Sequence, residues 1–573
     1  MSVPHSRNTA PPRWLLKPES PTAAGMADRL GLHPLVARLL VTRGIEDDDA
    51  AREFLQPRLA SLSDPFDLPE MRPAVERLLV AVDRKEKVSL YGDYDVDGVT
   101  SMALLHLTLK AYGLDSSLFL PHRMEEGYGM SRDGLSRCFE EHGKPDLLMA
   151  LDCGTTSLAE AAWLKEEGVD CIIVDHHELA QAGRPQCVAL VNPQLGETHH
   201  HLCTVGLVFK VAHALMKTRR LPDFDLKDYL DLVTLGTVAD LVPLIGENRS
   251  IVRRGLEAIA QTKRVGLRAL KEVAGVDGFV QTHHLGYRLG PRLNAAGRLD
   301  TALTALHLVL ATDPVKAREY AALLDAHNRE RQGVELQVMN EALEMVAQMG
   351  SLDDVHGIVI GSRDWHPGVI GIVASRISRL CHRPTILIAI DENGIGKGSG
   401  RSIRGLSLVD AMNECRPLLL KGGGHAMAAG LSIEEKNIDT FRVAFGEVVQ
   451  RALTADDRRP VLELDAELSL RDMSAGFLDQ YRQLEPFGQR NHEPFFLCRN
   501  VSPRLPGRVL KDKHLRVALF QNGISMDAMY FNAPFDSLPP PPWDVALRIQ
   551  RNSYRGNEQW QLLVEGVRAA ESS

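Results

Sequence analysis

The stretch Val88–Ser101, VSLYGDYDVDGVTS, constrains this chain more than any other. Strand-like residues Val88–Tyr91 run into a turn that holds Asp93, Asp95 and Asp97 at alternate positions, then Gly98 and an apolar, helix-like run. Three carboxylates that close together repel one another. A fold keeps them so only if positive charge sits among them, and a divalent cation is the obvious source. Alone, the stretch could also be a calcium loop, but it lacks the bidentate glutamate that such a loop carries at its twelfth position.

Downstream, the pattern alternates between strand and helix. Strands are expected at Val88–Tyr91, Ser117–Leu120, Leu147–Leu151, Cys171–Val174 and Val188–Val191, with helices over Val99–Tyr112, from about Ser131, and up to Lys165. Repeated βα units predict an α/β fold with a parallel sheet wound by helices on both faces. Ligands of such sheets bind beyond the carboxyl ends of the strands. The polar clusters fall at those places: Asp93/Asp95/Asp97 after one strand, Asp152 after another, Asp175-His176-His177 after a third. Asp240 follows a further apolar helix in DYLDLVTLGTVADLVPL. Carboxylate with imidazole and no thiolate favours Mn²⁺, with Mg²⁺ possible, over a structural zinc. There are more ligands here than one ion uses, which suggests two ions with Asp152 as the bridge. Two ions about 3.5–4 Å apart suit an in-line phosphoryl displacement.

The length of 573 residues is too great for one core, so three or four domains are expected. The pattern divides into a helical N-terminal extension (1–80), a catalytic α/β domain with a helical subregion (81–310), a connecting helix (311–350) opened by Asp313-Pro314, a second α/β domain (351–455) and a C-terminal β-barrel (456–573) for which an OB-fold is the leading candidate. Residues 1 to about 12 read as disordered. No apolar run is long enough to span a membrane, and the first residues lack the apolar core of a signal peptide. Eight cysteines without a CxxC pair make neither a disulfide framework nor a zinc ribbon, and a cytoplasmic protein is expected. None of the cysteines has a case for catalysis; Cys153 lies beside Asp152 but has no relay. The net charge of −9 argues against wholesale nucleic-acid binding. Basic residues are concentrated, however: nine Lys/Arg against four Asp/Glu over Ile251–Asp300, and eight against three over Arg482–Arg516. Basic patches in an acidic chain fit a polyanion track confined to one groove; the alternative is solvated helix faces. His199-His200-His201 reads as a solvated loop, since consecutive side chains point apart.

GDYDVDGVTS, LDCGTTS, VDHHE and GTVADLVPL, in that order, resemble the motifs of the DHH phosphoesterases. Aspartate at 93, where other branches carry histidine, resembles the RecJ-type single-stranded-DNA exonucleases among them. The resemblance continues through GPRLNAAGR, GSGRS, GGGHAMAAG and LEPFGQRNHEPFF. It implies a DHH lobe and a DHHA1 lobe joined by a long helix, with a groove that admits only single strands, and a C-terminal OB-fold that feeds the strand in. It implies two ions, Mn²⁺ or Mg²⁺, on Asp93, Asp95, Asp97, Asp152, His176 and Asp240, with His177 supporting the second ion or the scissile phosphate. Gly422, Gly423 and Gly424 would offer backbone N–H groups to an anion, and His425 would face the scissile phosphate. Arg298, Arg401 and Ser402 would grip phosphate, with Ser399 and Asn294 weaker candidates. Tyr128, Tyr287 and Trp365 could stack on bases, although such aromatics are more often core than ligand, and His366 could touch the strand or be a turn histidine. The implied activity is 5′→3′ exonucleolysis of single-stranded DNA to 5′-mononucleotides in recombination and repair, by a monomer acting with single-strand-binding protein and a RecQ-type helicase. The alternative is a DHH enzyme acting on short oligonucleotides or cyclic dinucleotides.

Overall fold

The computed structural model describes residues 12–121, 129–180, 182–299, 302–554 and 557–571. The expected disorder of the first residues lies largely outside them. The chain forms two compact units: residues 16–325 with 464–573, and residues 1–15 with 326–463. Each is described by itself.

In the first unit, β1 (Val88–Gly92), β2 (Ser116–Phe119), β3 (Leu147–Leu151), β4 (Asp170–Val174) and β5 (Ala189–Val191) form an all-parallel sheet in the order β2-β1-β3-β4-β5. These bounds differ from the sequence expectation by a residue at most. β1 and β3 are buried throughout, as strands covered on both faces must be. Alternate side chains enter opposite cores. Leu90, Met149 and Ile172 meet the helices Met71–Arg84, Val96–Ala111 and Thr204–Thr218. Tyr91, Leu148 and Ile173 meet the helices Arg132–His142 and Leu158–Glu166. The strand order reverses between β1 and β3, and that topological switch point is where a sheet of this kind opens a crevice at its carboxyl edge.

The helix after β1 begins at Val96, not Val99 as the apolar pattern suggests. Asp95 is its N-cap: Oδ1 accepts from the N–H groups of Asp97 (2.9 Å) and Gly98 (3.1 Å). Gly98 has no substitute, because a Cβ there would lie 2.3 Å from the main-chain oxygen of Asp93.

The same unit contains the C-terminal barrel: β11 (Ala466–Glu467), β12 (Phe496–Leu510), β13 (His514–Gln521), β14 (Ile524–Tyr530), β15 (Trp543–Tyr554) and β16 (Asn557–Ala569). Its order β11-β12-β13-β14-β16-β15, with β15 pairing back on β12, closes five strands into a barrel. Nothing in the sequence signals what fills it out. The helices Pro21–Leu30, Pro34–Val41 and Asp48–Leu55 bury Met26, Val36, Leu39, Leu40 and Leu55 in one core with Leu468, Phe477, Tyr481 and Phe496. Arg249, on the helix Gly246–Ala260, bolts this assembly to the parallel-sheet domain. Its guanidinium lies 3.7 Å from the Phe54 ring centroid and donates to the carbonyls of Phe54 (2.7 Å), Gln483 (2.7 Å) and Glu485 (2.9 Å).

The second unit holds β6 (Ile358–Ser362), β7 (Thr385–Ile390), β8 (Ile395–Arg401), β9 (Lys421–Gly424) and β10 (Ala428–Glu434), in the order β9-β10-β8-β7-β6. Only β6 and β7 run parallel. One 35-residue helix, Pro314–Gln348, runs unbroken through Gly333 and contributes to both units.

Replacing Arg249 with Leu leaves three half-buried carbonyls without their donor. The expected cost is about 3 kcal/mol or more, read as a fall in the urea midpoint; a change within ±0.5 kcal/mol would show that the junction carries no load.

Candidate metal centre

Three acids extend the sheet by one rung each. The N–H of Asp93 bonds the carbonyl of Leu151 (3.2 Å), that of Asp152 bonds Val174 (3.0 Å), and that of Asp175 bonds Val191 (3.2 Å). Ladder bonds thus line up carboxylates that lie far apart in sequence, in one row across the carboxyl ends of β1, β3 and β4. Asp152 adopts a left-handed φ of 63°, a strained conformation for a residue with a side chain and one that clusters at functional sites. Asp93, Asp97, Asp152 and Asp175 are all buried.

A second layer comes from helix ends. The N-terminus of Thr204–Thr218 points its first N–H groups at Asp97, with Thr204 N to Oδ2 at 2.7 Å and Val205 N to Oδ1 at 2.8 Å. The Thr204 hydroxyl donates to Asp152 Oδ1 at 2.8 Å. Asp240 caps the C-terminus of the helix Leu230–Ala239. Side-chain donor atoms of Asp93, Asp95 and Asp152 lie within 4.8 Å of one another, as do those of Asp152, His176 and His177, and those of Asp97, Cys203 and Asp240. The predicted ligands Asp93, Asp95, Asp97, Asp152, His176 and Asp240 therefore converge, and His177 joins them.

His176 Nε2 lies 3.6 Å from Asp152 Oδ1 and 3.5 Å from Asp240 Oδ2. These separations are long for hydrogen bonds and approach the roughly 3 Å between adjacent donors of one octahedral ion. Asp240 Oδ2 is buried with no hydrogen-bond partner among the described residues. The electrostatics agree. Burial, then the charges of Asp97 and Asp95, pushes Asp240 up to about 9. Burial, then Asp95, pushes Asp97 up to about 7. Burial and four neighbouring carboxylates hold Asp152 well above the usual range. Burial, then His177, brings His176 down to about 4, so it stays neutral and able to ligate. A site that resists its own charge to this degree, with oxygen and imidazole donors in place, fits a divalent cation.

Asp175 was visible in the sequence only as part of a cluster; the structure gives it a distinct task. Its Oδ1 sits 2.6 Å from His177 Nδ1, and its Oδ2 accepts the Thr155 N–H at 3.0 Å. Burial alone would raise Asp175, but the bond and charge of His177 and the Thr155 bonds outweigh it and bring it to about 2. In return, burial of His177 is outweighed by Asp175 and its pKa is raised. Thr204 and Cys203 were missed altogether, because CTVGLVFK reads only as the start of an apolar helix.

Ser399, Arg401, Ser402, Gly422–Gly424 and His425 lie in the second unit. On β8, Gly396, Gly398 and Gly400 face the core, where a Cβ would meet Ile388 (2.5 Å), Leu431 (2.7 Å) and Leu408 (2.4 Å). Lys397, Ser399 and Arg401 take the opposite face. Arg401 is half-buried, donates to the Gly400 carbonyl (2.7 Å) and Ser399 Oγ (3.3 Å), and has no acidic partner among the described residues. A Cβ on Gly371, in the first turn of the helix Ile370–Cys381, would lie 2.9 Å from Ser399 Oγ and 3.4 Å from Arg401 Nη2. Ser402 is buried and its hydroxyl donates to the Leu406 carbonyl at 2.8 Å, so it braces the turn. Gly423 and Gly424 are exposed on edge strand β9. His425 is exposed in the tight turn that follows, its N–H bonded to the Ala428 carbonyl at 2.8 Å.

Several expectations are corrected. Trp365 is buried, with Nε1 bonded to Glu341 at 2.8 Å, and cannot stack on a base. His366 Nδ1 accepts the Gly368 N–H at 3.0 Å, as a turn residue does. Asn294 Oδ1 accepts the Val96 N–H at 3.0 Å, so it holds the first turn behind the acids. His199 and His201 are half-buried near Lys210 and Glu247, and of the triplet only His200 is exposed. Over Ile251–Asp300, Arg253, Lys271 and Arg288 bond main-chain carbonyls, and Arg264 and Arg292 bond Asp231 and Asp325, so much of that positive charge serves the fold. Tyr287 is 80% exposed. Tyr128 and the side chain of Arg298 lie outside the described residues.

Residues 87–237 match the DHH family N-terminal domain, residues 354–451 the DHHA1 domain and residues 464–566 the RecJ OB domain. The single-stranded-DNA-specific exonuclease RecJ of Dickeya dadantii is 36% identical over 562 residues, covering 93% of this chain and 96% of the relative. RecJ of Bacillus subtilis is 38% identical over 527 residues, covering 91% of this chain and 66% of the relative. The crystal structure of RecJ in complex with Mn²⁺ from Thermus thermophilus superposes with a TM-score of 0.82 at 30% identity, covering 98% of this chain and 80% of that one.

The raised carboxyl groups set a pH dependence. Asp97 at about 7 and Asp240 at about 9 stay protonated in the fold where an unfolded chain has already ionised. Their contribution to stability is therefore complete below about pH 4 and lost as pH rises through 7 to 9. The melting temperature of the metal-free chain is expected to fall between pH 5 and 9. Mn²⁺ is expected to raise it, more at pH 9 than at pH 5, by the equivalent of about 2.7 kcal/mol at a hundredfold excess over Kd. A metal-free melting temperature that climbs across this range contradicts the assignment.

Proposed function

The chain belongs to the RecJ family of single-stranded-DNA-specific exonucleases, and on that footing we propose that it hydrolyses single-stranded DNA from the 5′ end to 5′-mononucleotides by two-metal phosphodiester hydrolysis. The observation that carries this reading is the placing of His176 Nε2 between Asp152 and Asp240, at 3.6 and 3.5 Å, among carboxylates that burial keeps from ionising.

Asp93, Asp95, Asp97, Asp152, His176 and Asp240 would hold two divalent ions, Mn²⁺ or Mg²⁺. When bound, such ions activate water and offset charge on the attacking and leaving oxygens of an in-line displacement. The chain does the rest by position and charge. Thr204 and the helix N-terminus fix the carboxylates of Asp152 and Asp97. Asp175 holds His177 by Nδ1 and raises its pKa, so His177 keeps its proton to higher pH than an ordinary imidazole. Between its two possible tasks, this favours contact with the scissile phosphate over support of an ion. His425, exposed on its turn, is suited to stabilising phosphate charge. Arg401 and Ser399, beside the N-terminus of the helix Ile370–Cys381, form an anion-binding corner suited to a terminal 5′-phosphate. Gly423 and Gly424, exposed on edge strand β9, are suited to offering main-chain N–H groups to a phosphate, and Ser402 holds Arg401 in place through its turn. On the barrel, Arg504, Arg508, Lys511 and Lys513 are exposed with no acidic partner among the described residues, a strip that guides the strand by phosphate contacts. Work on long strands in recombination and repair, in the cytoplasm, as a monomer alongside single-strand-binding protein and a RecQ-type helicase, accords with this reading.

With Mn²⁺ or Mg²⁺ present, a 5′-labelled single strand is expected to release labelled mononucleotide at once, while a 3′ label is released last and blunt duplex persists. Asp152→Ala is expected to abolish all release. An intact 5′-labelled strand under these conditions refutes the activity. Asp175→Asn, which deprives His177 of its counter-charge, is expected to lower kcat about 10²-fold or more and to move the loss of activity at alkaline pH toward neutrality; an unmoved profile removes His177 from the chemistry.

A further inference from the structure

Three segments remote in sequence meet beside Asp240, and each presents a side chain that the fold does not use. Leu241 follows Asp240 directly, is 72% exposed and holds a left-handed φ of 60°. Tyr287 is 80% exposed on the π-helical turn Leu285–Leu289. They are the two most exposed large apolar side chains among the described residues. Arg490, in the run LEPFGQRNHEPFF, is exposed at a left-handed φ of 57° and has no acidic partner among the described residues. Hydrogen bonds join the segments. The Leu244 N–H donates to the Gln489 carbonyl at 2.8 Å, and the Thr282 hydroxyl donates to the Phe487 carbonyl at 2.6 Å. A Cβ on Gly290 would lie 3.5 Å from that of Ala239, so the π-turn leads onto the tail of the helix that brings Asp240.

None of the three is placed by packing of its own. Leu285 and Leu289 are buried on either side of Tyr287 and already pin the turn, and such π-turns are frequent at functional sites. The buried amide of Asn491 braces the Arg490 turn: Nδ2 donates to the carbonyls of Leu484 (2.9 Å) and Pro486 (2.8 Å), and Oδ1 accepts from Arg43 Nε (2.9 Å). Left-handed backbone suits glycine. A leucine and an arginine in that conformation, both facing water, carry strain that their own contacts do not return, and such strain gathers at ligand-binding sites. A bare aromatic ring, an aliphatic side chain and a solvent-facing guanidinium, all on braced turns, are the parts of a platform for single-stranded nucleic acid. We propose that Tyr287, Leu241 and Arg490 form a nucleobase subsite at the mouth of the metal centre. Tyr287 stacks on a base of the incoming strand, Leu241 packs against the edge of that base, and Arg490 takes a neighbouring phosphate. The subsite makes the enzyme prefer a strand that carries bases over bare sugar–phosphate, without reading base identity by hydrogen bonds.

This inference rests on the exonuclease reading, and its test separates the two. The full chain with Mn²⁺ is given a 5′-labelled natural strand, and the same strand built with tetrahydrofuran residues, which keep the phosphates and lack the bases. The wild type is expected to prefer the natural strand, read as the ratio of the two KM values. That preference is expected to shrink at least about 5-fold in Tyr287→Ala and to persist in Tyr287→Phe. In Arg490→Gly, which relieves the left-handed strain, KM is expected to rise alike for both strands. The slope of log KM against log salt is expected to fall by about 0.7, the share of one phosphate contact on a single strand. A wild type that does not distinguish the two strands, a preference that Tyr287→Ala keeps in full, or an unchanged salt slope in Arg490→Gly overturns the subsite and leaves the exonuclease standing. If the wild-type chain leaves the natural strand intact, the exonuclease reading itself falls, and this inference with it.

Discussion

The mutual repulsion of buried carboxylates at one end of a parallel sheet is the constraint on which the rest of the structure depends. At about 4 Å and an effective dielectric near 20, one such pair costs about 4 kcal/mol, and this centre holds five acids among its candidate ligands alone. The fold meets the cost partly with its own dipoles. The helix after Asp95 is capped by that residue, the helix after Cys203 directs two N–H groups at Asp97, and Thr204 donates to Asp152. It meets the remainder by leaving room for cations. Local strain follows from the same demand: the left-handed φ of Asp152 and the close approach at Gly98 are what place carboxylates inside a crevice instead of above it.

Topology explains how acids remote in sequence arrive together. The chain lays β2 outside β1 and then returns to set β3 on the other side. The connections leave β1 and β3 in opposite directions, so no loop covers the edge between them. Asp93 and Asp152 end these two strands, and Asp175 ends the next. Asp240 and Cys203 come from helix ends, which carry partial charges of their own: the negative end of one helix brings an acid in need of a cation, and the positive end of another steadies an acid in place.

Much of this was legible in the sequence, because strand ends are marked by a change from apolar runs to acids, and that change survives any detail of packing. The parallel sheet and the acids at its carboxyl edge were readable in this way; the barrel was readable from β-rich runs between turns, and the set Asp93, Asp95, Asp97, Asp152, His176 and Asp240 from the family resemblance. What was not readable depends on which atom a side chain finds. Asn294 looks like a phosphate ligand and instead bonds the Val96 N–H. Trp365 looks like a stacking platform and is core. The basic run from Ile251 to Asp300 looks like a nucleic-acid track, yet its arginines largely hold carbonyls and carboxylates, a choice that charge counting cannot see.

The shared core of the N-terminal helices and the C-terminal barrel has a consequence for how the polypeptide is made. Met26, Leu39, Leu40 and Leu55 leave the ribosome early, and their partners from Leu468 onward leave it last. At about 5–20 residues per second, the interval is on the order of 20–80 s. Throughout it, an apolar surface destined for the interior has nothing of its own chain to cover it. This part of the molecule is therefore assembled after synthesis rather than during it, and the nascent chain needs a temporary cover until its own end arrives.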